Sequence, residues 1–278
     1  MSNNIAILGA GVSGIGAAIL ASNKNYNVFV SDSNTIDEKN KKVLDNHNIV
    51  WEENGHDLAK ILSSDLIIKS PGIPDHIDLI QKIIEKEISI ISEIEFASRF
   101  TQAKIVAITG TNGKTTTTLL IYKILNDAGY NVLLAGNIGI SFSAEISSND
   151  YDFIVLEVSS FQLDNIVEFR PFISIILNIS EDHLDRYKNN FSNYIYSKLQ
   201  ITKNQTKKDF LIYNYDDTSL SDLKTNAKKI PISLKHKLNG DSGLYTNNKI
   251  NINLNNKTMT IEKLALKGTH NIFNSMAA

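Results

Sequence analysis

Cysteine is absent from all 278 residues, which excludes disulfides, thiolate nucleophiles and cysteine-ligated zinc. A basic excess is absent too. Lys and Arg number 28 against 30 Asp and Glu, a net charge of −2, which argues against a general nucleic-acid binder. Arginine is scarce at 3 residues (Arg99, Arg170, Arg186) while asparagine occurs 32 times. We read this as compositional bias without functional content, so Lys/Asn-rich stretches such as Lys203–Lys208 are solvated surface. A membrane-length apolar run is also missing. The nearest approach, Ile5–Ala21, is short, carries four glycines and follows MSNN, without the basic flank of a signal peptide. It reads as a buried strand, turn and helix. We expect a soluble, cytoplasmic protein with no membrane insertion and no nucleic-acid partner.

What is present is a 42% apolar content, enough for a sizeable core, in a chain long enough for two domains. Short β-rich runs alternate with helix-length stretches: Ile5–Leu8, Asn27–Asp32, Asp65–Ser70 and Ile88–Ile91, then a helical stretch near Glu93–Phe100. A second series begins at Lys104–Gly110, followed by a helix over Thr115–Ala128 that stops at Gly129. Further strands are expected at Asn131–Gly136, Asp152–Ser159, Phe172–Ser180 and Asp209–Asn214, and a hairpin at Ile250–Asn253 with Thr258–Glu262. This alternation predicts an α/β protein with mostly parallel sheets. We expect an N-terminal Rossmann-like domain over residues 1–93 and a P-loop-type domain over 94–278.

Four segments carry chemistry. Gly9-Ala10-Gly11-Val12-Ser13-Gly14 is a G-x-G-x-x-G between a strand and a helix, with Asp32 ending the next strand. The glycines admit a pyrophosphate to a helix N-terminus and the acid suits a ribose hydroxyl. Taken alone this favours NAD, and a tight turn without ligand remains open. Gly110-Thr111-Asn112-Gly113-Lys114-Thr115-Thr116 is a shortened phosphate loop, G-x-x-G-K-T, with Ile108 where the longer pattern has its first glycine. Lys114 would neutralise β/γ-phosphates and Thr115 would ligate Mg²⁺. Glu157 ends an apolar strand in Leu156–Leu163, a place for a magnesium carboxylate if the loop holds phosphate. His183, in Asn178–Tyr187, sits at another strand end among acids and could bind metal, whereas His47, His56, His76 and His236 read as surface. Lys198 by itself reads as a solvated lysine.

In this order, GAGVSG, Ser70–Pro74, TGTNGKTT, Gly136–Gly139, LEVSSFQL, NISEDHLDRY, SKL and Leu266–Asn274 resemble the Mur ligase family, and SSFQL with EDHLDRY its D-glutamate-adding branch. The resemblance spans almost the whole chain. It implies that the first domain holds the uridine nucleotide of UDP-N-acetylmuramoyl-L-alanine rather than NAD, through Gly11, Ser13, Gly14, Asp32, Ser33, Ser70 and Gly72. It implies ATP as co-substrate at Gly110–Thr116, with Asn271 and Asn274 near the nucleotide. By the same resemblance Thr115 and Glu157 hold one Mg²⁺, and His183 helps hold a second with a carbamylated Lys198. Asn137, Ser159 and Gln162 face the muramoyl-alanine end. The implied reaction joins D-glutamate to the substrate carboxyl through an acyl phosphate, and we expect a monomer. The family carries a third, C-terminal domain that this chain lacks, so an incomplete, poorly active form is expected. A sibling ligase, a folylpolyglutamate synthase-like ligase, a non-catalytic nucleotide-binding fragment and an NAD-dependent oxidoreductase stay as alternatives.

Overall fold

The structure, a computed structural model, describes residues 3–246, 249–254, 257–261 and 268–278. The first elements are β1 (Asn4–Leu8), α1 (Val12–Asn23), β2 (Asn27–Ser31), α2 (Glu38–Asn46), β3 (Val50–Glu52), α3 (Leu58–Leu62), β4 (Leu66–Lys69), α4 (Asp78–Glu85), β5 (Ser89–Ile91) and α5 (Glu93–Ser98). Then come β6 (Lys104–Thr109), α6 (Lys114–Asp127), β7 (Val132–Gly136), α7 (Phe142–Ile146), β8 (Phe153–Glu157), α8 (Ser160–Leu163), β9 (Ile173–Ile176) and α9 (Phe191–Leu199). The last are β10 (Phe210–Asn214), β11 (Lys228–Ser233), β12 (Ser242–Thr246), β13 (Lys249–Leu254), β14 (Lys257–Ile261) and α10 (Thr269–Ala277).

Two compact units result. The first contains residues 1–102, 139–150 and 161–169; the second contains 103–138, 151–160 and 170–278. The expected boundary at residue 93 differs from this division because α5 packs on α1 and α7 within the first unit. The first unit is a parallel five-stranded sheet in the order β3-β2-β1-β4-β5. Ala6, Leu8, Ile67, Ile80 and Ile83 are buried in its core. The apolar stretch Ile5–Ala21 is its first strand, turn and helix, and no helix among the described residues is long and apolar enough to cross a membrane.

The second unit is a nine-stranded sheet in the order β14-β13-β12-β11-β10-β9-β6-β8-β7, parallel except for β12-β13-β14. β6, β8 and β9 are almost wholly buried, as near-continuous apolar runs in a parallel sheet should be. The hairpin of β13 and β14 pairs Leu254 with Lys257, while Asn255, Asn256 and Glu262 lie outside the described residues. Gly129, at φ 88, follows the C-cap of α6, and Tyr130 N–H donates to Leu125 O there.

Helix starts separate into two kinds. Asp37, Asp57, Ser92, Ser141 and Asn190 each accept a backbone N–H at the N-termini of α2, α3, α5, α7 and α9. α1, α4, α6 and α10 have no side-chain cap; at α1 and α6, which begin after Gly11 and Gly113 in the glycine motifs, the first N–H groups stay available to an anion.

Glu93 gives the first unit a pH-dependent element. Its carboxyl is 3% exposed and accepts from Ser141 Oγ (2.8 Å) and Ser143 N (2.6 Å). Burial dominates those two bonds and pushes its pKa above the ordinary 4.5. The folded chain therefore binds this proton at pH values where the unfolded chain has released it. The contribution of Glu93 to stability is full below 4.5 and falls as pH rises through the raised pKa. Urea denaturation of wild type and Glu93→Gln from about pH 4 to 8 should show wild type losing ground to the variant as pH rises. A pH-independent difference would refute this.

Candidate functional site

Parallel register sets the site in the second unit. β6 pairs Ile108 with Glu157 of β8 and Thr109 with Ile176 of β9. The segments leaving these three strands, Gly110 onward, Val158 onward and Leu177 onward, thus emerge side by side at the carboxyl edge of the sheet. Open α/β sheets bind ligands at that edge.

The loop after β6 is the one singled out in the sequence. Gly113 has φ 85, and a Cβ there would lie 2.5 Å from Asn274 Oδ1, so the position needs glycine on both counts. Asn178 clamps the loop: its carbonyl accepts from Thr111 N (2.8 Å), its Oδ1 from Asn112 N (2.9 Å), and its Nδ2 donates to Asn112 O (2.9 Å). Thr111 Oγ1 accepts from Ser180 N (3.0 Å) and lies 3.1 Å from Ser180 O.

The loop meets a carboxylate. Thr115 Oγ1 donates to Glu157 Oε2 at 2.7 Å, and Asn137 Nδ2 donates to Glu157 Oε1 at 2.9 Å. Glu157 is 2% exposed and both of these partners are neutral. A buried carboxylate with neutral donors is incompletely compensated, and a hard divalent cation suits its oxygens together with the Thr115 hydroxyl.

Two lysines converge on one carbonyl oxygen. Lys114 Nζ donates to Gly110 O at 2.9 Å and to Thr111 O at 3.0 Å. Lys198 Nζ donates to Gly110 O at 3.0 Å and lies 4.6 Å from the centre of the Tyr194 ring. Lys198 is 2% exposed, so the sequence reading of a solvated lysine is corrected: α9 turns it inward, under the loop.

His183 lies in the segment after β9. It adopts φ 50, its backbone N–H donates to Asp182 Oδ1 at 2.9 Å, and its half-exposed ring has Nε2 at 3.5 Å from Asp182 Oδ2. Among the described residues no group of three or more His, Asp or Glu side chains could by itself hold a metal. A cavity of about 280 Å³ opens beside the loop, with Asn112, Leu177, Asn214, Leu234, Phe273 and Asn274 in its lining. Asn274 is buried and its Nδ2 lies 3.3 Å from Asn271 Oδ1. Leu266 and Lys267, the first residues of the terminal motif, lie outside the described residues.

In the first unit, Asp32 Oδ2 accepts from Ala10 N (2.7 Å) and its Oδ1 from Asn34 N (2.9 Å), so the carboxylate closes the glycine turn. Gly14 is required by close packing, since a Cβ would lie 1.8 Å from Gly9 O; at Gly11 and Gly72 a Cβ would meet open space. Ser70 Oγ approaches Gly9 O at 3.5 Å, and Ser33 Oγ lies 3.3 Å from Asn34 Nδ2. Ser13, half-buried, lies in the first turn of α1. Gln162 is buried in this unit, while Ser159 belongs to the second. His56 is not a plain surface residue: its Nδ1 lies 2.6 Å from the buried Ser31 Oγ, which also contacts Glu52 Oε1 at 2.6 Å. Sequence reasoning also gave Asn178 no role, although it stood in the quoted motif directly after an apolar strand.

Two family models match the chain. Residues 108–278 match the Mur ligase middle domain and residues 4–79 the MurD N-terminal domain. The chain is 46% identical to a UDP-N-acetylmuramoylalanine–D-glutamate ligase of Christiangramia forsetii, over 100% of this chain and 64% of that protein. It is 47% identical to a protein of the same name from Bacteroides fragilis, over 99% of this chain and 63% of that one. The chain thus spans under two thirds of the length of these curated relatives. Its fold is similar to that of a UDP-N-acetylmuramate:L-alanyl-γ-D-glutamyl-meso-diaminopimelate ligase from Neisseria meningitides, at TM-score 0.63 and 19% identity, covering 100% of this chain and 92% of that one.

Proposed function

The chain belongs to the Mur ligase family, and from that premise we propose that it binds ATP at Gly110–Thr116 and serves ligation of D-glutamate to UDP-N-acetylmuramoyl-L-alanine. The observation that carries the reading is the Thr115–Glu157 hydrogen bond of 2.7 Å, which joins the phosphate-loop hydroxyl to a buried carboxylate. Magnesium bound there with the phosphates of ATP would neutralise their charge, since this ion is commonly held by one or two carboxylates plus substrate phosphates. Lys114 supplies a mobile cation to the β/γ-phosphates. The first N–H groups of α6 supply fixed donors, and the apolar and amide lining beside Asn274 suits a flat purine.

The chemistry needs this concentration of positive charge. A carboxylate oxygen is a poor leaving group. The substrate carboxylate attacks the γ-phosphorus and ADP leaves, giving an acyl phosphate. The amine of D-glutamate then attacks the acyl carbon, and inorganic phosphate leaves as the amide forms. Fixed donors and cations stabilise the charge gathered in both steps. With Lys114 and Lys198 both on the Gly110 carbonyl, two ammonium groups lie within about 6 Å of each other. Carbamylation of Lys198 would replace one of them by an anion, able to serve a second magnesium ion with His183. Gly11, Ser13, Gly14, Ser33, Ser70 and Gly72 are assigned to the uridine nucleotide, at the glycine turn that Asp32 closes. Asn137, Ser159 and Gln162 are assigned to the muramoyl-alanine end.

Calorimetric titration with ATP, with and without magnesium, tests the reading. Wild type should bind ATP with affinity that rises on adding magnesium, and Glu157→Gln should lose on the order of tenfold in magnesium-supported affinity. Binding of NADH but not ATP would overturn it. A panel of acceptor substrates and amino acids, read as phosphate release, separates D-glutamate addition from the sibling reactions.

A further inference from the structure

Resting on the phosphate-loop reading, we infer that Asn178 is a positioning residue that sets which way the Gly113 N–H faces. The loop offers donors at Thr111, Asn112, Gly113 and the first turn of α6. Asn178 takes the first two: its carbonyl accepts from Thr111 N at 2.8 Å and its Oδ1 from Asn112 N at 2.9 Å. Its Nδ2 also donates to Asn112 O at 2.9 Å.

That last bond has a stereochemical consequence. In a trans peptide the C=O and the following N–H point in opposite directions. Holding the Asn112 carbonyl on Asn178 therefore turns the Gly113 N–H away from Asn178. Gly113, at φ 85, is the flexible point where a flip of the 112–113 peptide costs least. Asn178 opposes that flip. The clamp is itself anchored, because Ile179 N–H donates to Asp217 Oδ2 at 2.7 Å and Ser180 brackets the Thr111 hydroxyl. Only an amide satisfies residue 112 on both sides, because it carries one acceptor and one donor at fixed separation. A carboxylate keeps the bond to Asn112 N–H but faces the Asn112 carbonyl with like charge, which favours the flipped peptide.

The test compares ATP and AMP, which share base and ribose and differ in the phosphates that the loop would grip. For Asn178→Asp, ATP affinity should fall about tenfold or more while AMP affinity stays within about twofold. Asn178→Ala should lose less, because no repulsion drives the flip. A residue that only supported the fold would lower the melting temperature and weaken both nucleotides equally. In wild type, the Gly113 amide proton should shift downfield on adding ATP and stay near its free position on adding AMP, a readout independent of whether either variant folds. An unchanged ATP-to-AMP ratio in Asn178→Asp, or an unmoved Gly113 amide in ATP-bound wild type, overturns the inference. A wild type with no preference for ATP over AMP instead overturns the phosphate-loop reading beneath it.

Discussion

Replacing Lys114 with alanine is expected to lower ATP-dependent turnover by on the order of 10²-fold or more, about 2.7 kcal/mol of transition-state stabilisation. The side chain is placed for this. Its Nζ rests on two loop carbonyls, Gly110 O at 2.9 Å and Thr111 O at 3.0 Å, at the mouth of the uncapped α6. Neutral carbonyls hold an ammonium less strongly than a phosphate oxygen, because the phosphate adds a full negative charge and hence Coulomb attraction to the hydrogen bond. A nucleotide therefore draws Lys114 off these carbonyls without breaking any ion pair. The charge developing on the transferred phosphoryl group needs that cation more in the transition state than in the ground state. So kcat/KM for phosphate release, with ATP, UDP-N-acetylmuramoyl-L-alanine and D-glutamate present, should fall further than ATP affinity does. Turnover within about threefold of wild type would remove Lys114 from the mechanism.

The phosphate loop was legible because its information is contiguous: strand, turn and helix N-terminus lie within Lys104–Asp127. The buried parallel strands were legible for a related reason. β1, β6, β8 and β9 are mostly apolar, with polar residues at strand ends and a single serine, Ser174, inside β9. β3 went unread because three residues, Val50–Glu52, hold no period. β11 went unread because its sequence, KKIPIS, opens on two lysines and contains Pro231, which cannot donate to a ladder. It nonetheless pairs with β10, Pro231 lying opposite Tyr213. The pairings inside the site were beyond local reading. Asn178 meets Asn112 across 66 residues and Lys198 meets Gly110 across 88. Only the register of β6 with β9, and the inward face of α9, bring them together. Lys198 shows the consequence most directly, since the same residue reads as solvated by sequence neighbours and is buried by tertiary ones.

The largest loss of stability is expected from Glu95→Ala, about 3–5 kcal/mol, a substantial part of the 5–15 kcal/mol typical of a folded protein. Glu95 is fully buried in α5. Its Oε2 accepts three consecutive backbone N–H groups, Val167 (2.9 Å), Glu168 (3.0 Å) and Phe169 (2.7 Å). Its Oε1 accepts Arg99 Nε at 3.1 Å and Nη2 at 2.9 Å. Removing the carboxylate strands all of these donors at once. Arg99 is about one third exposed and recovers much of its solvation, so its ion pair contributes the smaller share. The N–H groups carry the larger share: that of the buried Phe169 costs about 1–3 kcal/mol when it loses this partner, and those of the exposed Val167 and Glu168 cost less because water reaches them. Glu95→Gln separates the two shares: its carbonyl oxygen can still receive the N–H groups, while its NH₂ now faces the Arg99 guanidinium. It should lose roughly half as much as alanine. Urea denaturation at neutral pH measures both, through the midpoint at constant slope. An alanine variant within about 1 kcal/mol of wild type would mean that water replaces the carboxylate at residues 167–169, and that the clamp contributes little to the fold.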